Sequence, residues 1–248
     1  MIDFNKVVWS YSRLKAYYNC KYAWKTTYIE GNRGEGNFLA ASGSLMHQVL
    51  EDYANGEIYL WDLTDHYDAL YKDFIKYKAP YNKYVDLEEK RKNTAHDYLD
   101  NFVGFEEIGE VVDVEKEIHI TLPDGSKMVG YIDLLLREEG DYIILDHKSA
   151  SNIKKNEHDE YFKQLYVYAK AIYDEFGVYP KRLILNQFNL GKLLIEEFDE
   201  EKYHHAIEWC VNTIAAIKKE TEWETPNIDY YFCTNLCNHG KTCVYKNK

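Results

Sequence analysis

The feature that most constrains this chain is a pair of short apolar runs that carry acids near their ends. Residues 130–136 read Gly, Tyr, Ile, Asp, Leu, Leu, Leu, and residues 141–149 read Asp, Tyr, Ile, Ile, Leu, Asp, His, Lys, Ser. Runs so rich in Ile, Leu and Tyr predict β-strands, and the Glu-Glu-Gly-Asp break between them predicts a hairpin turn. Asp133, Asp146 and Lys148 are then ionisable groups in otherwise apolar strands. Side chains two apart on a strand share a face, so Asp146 and Lys148 project to one side, and an antiparallel partner brings Asp133 beside them. Charges removed from water in this way need a partner or a cation. Two readings stand at this point. One is a hard divalent cation held by carboxylate oxygens, with the lysine beside its bound water; the other is a buried ion pair at a sheet edge.

Upstream, residues 111–122 and 128–136 flank the turn Pro123, Asp124, Gly125, so residues 111–145 predict a three-stranded antiparallel meander. Glu115 and Glu117 alternate along its first strand. Either one of them reaches the acidic cluster or both face solvent. Downstream, residues 161–176 have helical spacing, with Leu165, Ala169 and Ile172 as the buried stripe and Gln164 and Tyr168 one turn apart on another face. Gly177 and Pro180 stop that helix. A hairpin around Gly191 and a long amphipathic helix over residues 199–219 follow. Lys154, Lys155 and Lys163 are either a phosphate-contacting cluster or an ordinary solvated loop.

Toward the amino terminus, residues 10–20 predict a helix bearing Leu14, Tyr17 and Tyr18, with Tyr22, Trp24 and Tyr28 beyond it. These rings either stack on nucleic-acid bases or belong to the core. Residues 31–36 form a glycine-rich connection that lacks the lysine and hydroxyl of a P-loop. Residues 40–53 predict a helix with Leu45, Val49 and Leu50 as its apolar stripe. His47 and Glu51 meet one turn apart on it, placing Glu51 to orient the imidazole from behind. Residues 60–109 predict a polar, aromatic helical layer interrupted at Pro80, in which residues 88–92 are a solvated face.

A length of 248 residues is that of one domain with a modest insertion, and 46% hydrophobic with 29% charged residues fits an ordinary globular protein. No apolar run approaches the roughly 18 residues of a membrane span, and the first 30 residues lack a signal-peptide pattern. The expected location is therefore cytoplasmic, with no membrane partner. A net charge of −12 argues against a broad polyanion-binding surface but not against a local basic groove.

Taken in order, these pieces resemble the PD-(D/E)XK nucleases, in particular the RecB-like branch. That branch includes the small CRISPR-associated exonucleases, the nuclease domains of AddAB-type helicase–nucleases and phage relatives. Its pattern is a helix with G-x-x-x-H-x-x-x-E, a strand with G-x-I-D, a strand with D/E-x-K and a helix with Q-x-x-x-Y. Here these are Gly43, His47 and Glu51; Gly130 and Asp133; Asp146 and Lys148; and Gln164 and Tyr168. The resemblance implies an α/β (α+β) fold with a restriction-endonuclease-like core, a central mixed sheet flanked by helices. It places a helical insertion over about residues 56–110 and a Cys-rich segment at the carboxy-terminal end of a single domain spanning 1–248.

It also implies metal-dependent hydrolysis of DNA phosphodiesters by an exonuclease acting on single-stranded or frayed ends, in recombination, repair, phage DNA metabolism or CRISPR adaptation. By the same resemblance His47, Asp133, Asp146 and the backbone carbonyl of His147 hold Mg²⁺ or Mn²⁺, and Lys148 serves the attacking water. Gln164 and Tyr168 then orient the site, and Glu51 supports His47. Relatives include monomers, rings and decamers, so the resemblance leaves the oligomeric state open, along with any recombination, phage or CRISPR protein partner. Two other readings stay open: a non-catalytic DNA-binding or scaffold subunit with the same fold, and a sequence-specific endonuclease, for which no recognition domain is readable.

The chain has five cysteines. Inside a cell these are not a disulfide framework. Cys210 sits alone in a helical pattern as a small apolar residue. In the iron–sulfur relatives, one cysteine before the nuclease core and three after it hold a [4Fe–4S] cluster. Cys20, Cys233, Cys237 and Cys243 match that layout. The first carboxy-terminal gap is three residues where two is the more usual, which leaves a structural Zn²⁺ on four thiolates, or buried thiols without metal, as alternatives.

Overall fold

The computed structural model describes residue 4 and residues 7–150, 153–224 and 230–245. The α-helices are α1 (Tyr11–Asn19), α2 (Lys21–Tyr28), α3 (Phe38–Ala54), α4 (Leu63–Phe74), α5 (Leu87–Asp100), α6 (His158–Phe176) and α7 (Glu200–Lys219). The strands are β1 (Glu110–Thr121), β2 (Lys127–Glu138), β3 (Asp141–His147), β4 (Arg182–Gln187) and β5 (Lys192–Glu197). They form one mixed sheet in sequence order. All neighbours are antiparallel except β3 and β4, which run parallel and so need a crossover, supplied by α6. The fold is thus the α+β arrangement expected, a mixed sheet flanked by helices.

Local chemistry explains each piece. Glu138 pairs with Asp141, so the β2–β3 turn has only Glu139 and Gly140 at its centre, both at positive φ (51° and 95°). That is the primed turn whose twist matches the flanking strands. α6 ends on Gly177 in the left-handed conformation, as its sequence predicts. Residues 10–20 form the expected helix, α1, and Cys20 marks its end. Cys20 adopts an extended conformation (φ −166°, ψ 112°), ends α1 and caps α2 through its sulfur, which accepts the Ala23 N–H at 3.5 Å. A second helix, α2, thus starts directly after the first.

Both faces of the sheet are covered, which is why its central strands are almost continuously apolar. Leu135, Ile144, Leu183 and Leu185 pack beneath α1, α6 and α7; Leu134, Leu136, Ile143, Leu145 and Ile184 pack beneath α3, α4 and α5. Each fully buried Leu or Ile contributes roughly 1.5–3 kcal/mol by its burial. The amino-terminal rings divide: Tyr17 and Trp24 join Leu14 in the core, with Trp24 stacked on Trp223 at 5.2 Å, while Tyr18 and Tyr28 are exposed. Cys210 is fully buried in α7, and burial pushes its thiol up to about 12.

β2 is longer than β3. β3 covers its edge from Leu134 onward, while near its start the edge is met by Trp9, whose N–H and carbonyl bond Lys127 and Val129 at 3.0 and 2.8 Å. Between the two lies the short stretch Gly130 to Asp133, uncovered by any strand on that side. The site is built there.

Candidate active site

The acids converge because of register. β1 and β2 pair as Val114 with Leu134 and Lys116 with Ile132, so Glu115 stands opposite Asp133. β2 and β3 end their ladder at Leu134 with Leu145, so the next rung sets Asp133 opposite Asp146. Three carboxylates from three strands therefore share one row of the sheet. The ladder parts at this row, and Asp133 Oδ2 accepts the backbone N–H of His147 at 2.6 Å. β3 continues one residue past its assigned end, where the Lys148 N–H bonds the Asn186 carbonyl at 2.8 Å.

Helices on both faces complete the row. From one face, α3 brings His47, with Nδ1 3.6 Å from Asp133 Oδ2. Donor atoms of His47, Glu115 and Asp133 all lie within 4.8 Å of one another. From the other face, α6 brings Gln164 and Tyr168. Lys148 Nζ donates to Gln164 Oε1 at 3.0 Å, and Gln164 Nε2 donates to the Tyr168 hydroxyl at 3.0 Å. Lys148 Nζ also lies 2.6 Å from Asp146 Oδ2, but out of hydrogen-bond alignment, and that oxygen is buried with no hydrogen bond.

Two motif glycines are explained by close approach. A Cβ on Gly130 would fall 2.6 Å from the Tyr168 ring, so only glycine lets α6 lay that ring across β2. A Cβ on Gly43 would sit 3.2 Å from Ser149 Oγ, so its absence lets α3 approach the end of β3.

Electrostatics show a cluster of acids under strain. Burial and the Asp146 charge push the Asp133 carboxyl well above the usual range. Burial, with Glu51 and Asp146 nearby, pushes Glu115 up as well. Burial lowers the His47 imidazole against the pull of Asp146, and the His147 ring is held well below its usual value by burial, His47 and Lys148. His47 and His147 are therefore neutral near pH 7, and a neutral imidazole is the metal-binding form. Buried acids raised by mutual repulsion, a neutral imidazole and a buried carboxylate oxygen without a donor fit a divalent cation.

Not every expected residue reaches that row. Glu51 makes no hydrogen bond to His47 among the described residues; its charge is felt at Glu115. Glu115 itself points into the site while Glu117 is exposed, 3.0 Å from His119 and 2.9 Å from the Tyr131 hydroxyl. The cause is the backbone: Glu115 has φ +47°, and the faces shift there, with Val114 in the α3-side core and Ile118 in the α6-side core. Sequence reasoning missed Asn186, which donates to the Tyr98 hydroxyl at 2.7 Å and lies 3.0 Å from His147 Nδ1. A buried asparagine in the run Leu-Ile-Leu-Asn-Gln was the available signal. Lys154 and Lys155 are exposed at a turn, whereas Lys163 pairs with Glu160 at 2.5 Å and lies over the Trp209 ring.

The cysteines gather at the chain's two ends. Cys20 is buried between α1 and α2, and Cys233, Cys237 and Cys243 are half-buried on residues 230–245. Burial raises the Cys237 thiol, and the charges of Cys20, Cys233 and Cys243 add to the shift. That segment docks on α2 and the connection after it: Glu35 N–H bonds the Asn238 carbonyl at 2.9 Å, and His239 Nε2 meets Thr27 Oγ1 at 2.8 Å.

A mixed sheet whose interrupted edge gathers acids, an imidazole and a glutamine-held lysine is the arrangement of a metal-dependent nuclease. The family model of the PD-(D/E)XK nuclease superfamily matches residues 8–246, and the chain belongs to that superfamily. Its members use divalent metals, and DNA is the substrate the fold implies. No curated protein is detectably similar to the chain. Among solved structures it is similar to SSO0001, with 18% identity over 54% of this chain and 60% of that one and a TM-score of 0.31. No helix among the described residues is long and apolar enough to cross a membrane.

Proposed function

We propose that this protein is a Mg²⁺- or Mn²⁺-dependent DNA exonuclease of the RecB-like branch, acting on single-stranded or frayed ends. The observation that carries the reading is the single row of Glu115, Asp133 and Asp146, with His47 on one side and the Lys148–Gln164–Tyr168 chain on the other. His47, Asp133 and Asp146 would hold the cation with the His147 carbonyl, and Glu115 joins them. Once bound, the cation supplies Lewis acidity toward the scissile phosphate and a lowered pKa for nearby water.

The chain's own groups do the rest. Gln164 fixes Lys148 Nζ beside Asp146, where its ammonium can orient the attacking water and donate to the charge that grows on the phosphate oxygens. Tyr168 fixes which way the Gln164 amide faces. Covered faces of the sheet keep bulk water from the back of the site. End-labelled DNA with Mn²⁺ tests this: wild type shortens the label progressively, and Asp146→Ala and Lys148→Ala do not. Variants as active as wild type would eliminate the reading.

The cysteines enter the same proposal. Cys20, Cys233, Cys237 and Cys243 hold a [4Fe–4S] cluster that ties the ends of a single nuclease domain, with α4 and α5 as its helical insertion. Thiolate ligation of such clusters is general chemistry. In support, the charges of Cys20, Cys233 and Cys243 all act on the Cys237 thiol, so the four thiols are neighbours. Anaerobically purified protein should be brown with a broad visible absorption shoulder; a colourless preparation with one zinc per chain would replace the cluster by zinc.

A further inference from the structure

The loop between α4 and α5 sets exposed rings and lysines side by side. Residues 76–84 read Lys, Tyr, Lys, Ala, Pro, Tyr, Asn, Lys, Tyr, three lysines and three tyrosines without an acid, in a chain of net charge −12. Tyr81 and Tyr84 are 93% and 81% exposed. Exposed apolar surface gathered in one patch marks an interaction site. Elsewhere the exposed Tyr59 and Trp61 already stack on one another at 4.8 Å. Tyr81 has no ring partner among the described residues, and Tyr84 meets the Lys83 ammonium 4.6 Å from its centroid. Lys76 lies 3.8 Å from Asp73, whereas Lys78 and Lys83 are exposed and pair with no carboxylate among the described residues.

The rings stand on a restrained backbone. Pro80 fixes one φ, the Tyr84 N–H bonds Asn82 Oδ1 at 2.9 Å, and Asp86 caps α5 by accepting two N–H groups. The loop also has a defined place. Tyr77 lies against Gly36, where a side chain would find no room, one residue before the Asn37 cap of α3. His47 is ten residues along that helix, or about 15 Å. The same helix touches Ser149, next to Lys148, through Gly43. A few nucleotides of extended strand span that distance.

We propose that residues 76–84 form a stacking subsite for unpaired bases of single-stranded DNA whose reacting phosphate lies at the Asp133–Asp146 row. Rings take base faces without regard to sequence, and interleaved lysines neutralise the phosphates between them. A duplex has its faces already stacked, so the loop favours single strands. Only the position of the reacting phosphate rests on the nuclease reading; the binding does not.

The test separates the two. In Asp146→Ala protein, fluorescence anisotropy with labelled oligothymidylate of roughly 20 nucleotides reads binding without cleavage. Tyr81→Ala with Tyr84→Ala should weaken it about 10- to 100-fold, while the Tyr→Phe pair stays near the parent. Lys78→Gln with Lys83→Gln should flatten the logarithmic salt dependence by about 1.4. Blunt duplex of equal length should lose less than twofold, and wild-type and double-tyrosine enzymes should hydrolyse thymidine 5′-(p-nitrophenyl phosphate), too short to reach the loop, at equal rates. Unchanged oligothymidylate affinity, or an equal loss on duplex, overturns the subsite. If wild type leaves the p-nitrophenyl ester intact while the tyrosine effect on binding appears, the nuclease reading falls and the subsite stands.

Discussion

The acidic row and the cysteine-bearing end both assemble residues far apart in sequence, yet they are held in opposite ways. The row rests on sheet register and on two cores whose buried leucines and isoleucines are 0–6% exposed. No residue of 230–245 belongs to either core, and that segment is joined to the body by hydrogen bonds, the Lys241–Glu35 pair and an edge contact of the Tyr245 ring with Tyr22. In the first region the fold imposes the geometry and crowds charge to do so. In the second, little besides the thiols' own ligand would impose it. On the proposed reading, a cation at the row would be a guest of a finished structure, whereas a group on the four thiols would be part of the structure.

The sharpest way to break that contrast is Asp133→Asn. Its amide oxygen can still accept the His147 N–H, while one of the mutually repelling carboxylates is gone. Mn²⁺-dependent cleavage should fall about a thousandfold, the scale of losing one oriented electrostatic group or more. The melting temperature in EDTA should be no lower than wild type, as is common where function strains a site. Differential scanning fluorimetry with and without Mn²⁺ checks both halves: added Mn²⁺ should stabilise wild type and leave the variant unmoved. A variant that melts several degrees lower in EDTA would show that the acids hold the fold together.

Cys243→Ser probes the other region and should do the reverse. If the thiols' ligand shapes residues 230–245, its loss is a loss of folding energy. A cost of about 2–3 kcal/mol lowers the melting temperature of a chain this long by roughly 5–10 °C. Limited proteolysis should then cut first within residues 225–245, while hydrolysis of the p-nitrophenyl ester stays within a few-fold of wild type. Loss of ester hydrolysis without loss of stability would erase the distinction between the two regions.

How much of each region was legible in the sequence follows from what holds it. Asp133, Asp146 and Lys148 could be read because charge in an apolar strand is costly, and their register follows from a two-residue turn at Glu139 and Gly140. Gln164 and Tyr168 were readable as an i, i+4 pair. Glu115 was not, because its position in the site depends on a left-handed φ at a glutamate, which no local residue preference announces. Asn186 was hidden for another reason: its partners Tyr98 and His147 are 88 and 39 residues away. The end of the first helix at Cys20 was legible, but α2 was not, because a cysteine sulfur capping Ala23 N–H is no ordinary helix-start signal. Period and propensity reveal elements and faces; contacts made by the crossing of layers do not appear until the layers are packed.

Within the row itself, Tyr168→Phe should sharpen the division between groups that touch substrate and groups that position them. It removes the hydroxyl that accepts from Gln164 Nε2 and keeps the ring that lies across Gly130. Turnover should fall about tenfold, in line with loss of one hydrogen bond of roughly 1–1.5 kcal/mol, with little change in Mn²⁺ affinity. A fall as large as that of Lys148→Ala would move Tyr168 from positioning into direct contact with the reacting strand.

The smallest expected effect comes from an ionic contact beside Cys20. Glu220, just past α7, accepts from the Tyr17 hydroxyl and lies against Lys21 Nζ, each at 2.5 Å, and Lys21 follows Cys20 directly. Its other oxygen accepts the N–H groups of Thr221 and Glu222. Lys21 and Tyr17 hold the Glu220 carboxyl down at about 2. A carboxyl depressed in the folded state stabilises above its unfolded value, and that contribution is lost as pH falls through the folded one. Lys21 is partly exposed, with 35% of its side chain accessible, so screening limits the contact and Glu220→Gln should cost only about 1 kcal/mol at pH 7. In urea melts, the gap between wild type and variant should stay constant from pH 7 to about 5 and shrink toward pH 2. A gap that widens on acidification would mean that Glu220 acts through its shape and not its charge, and the amino-terminal side of the cysteine end would then be as dependent on its ligand as the carboxy-terminal side.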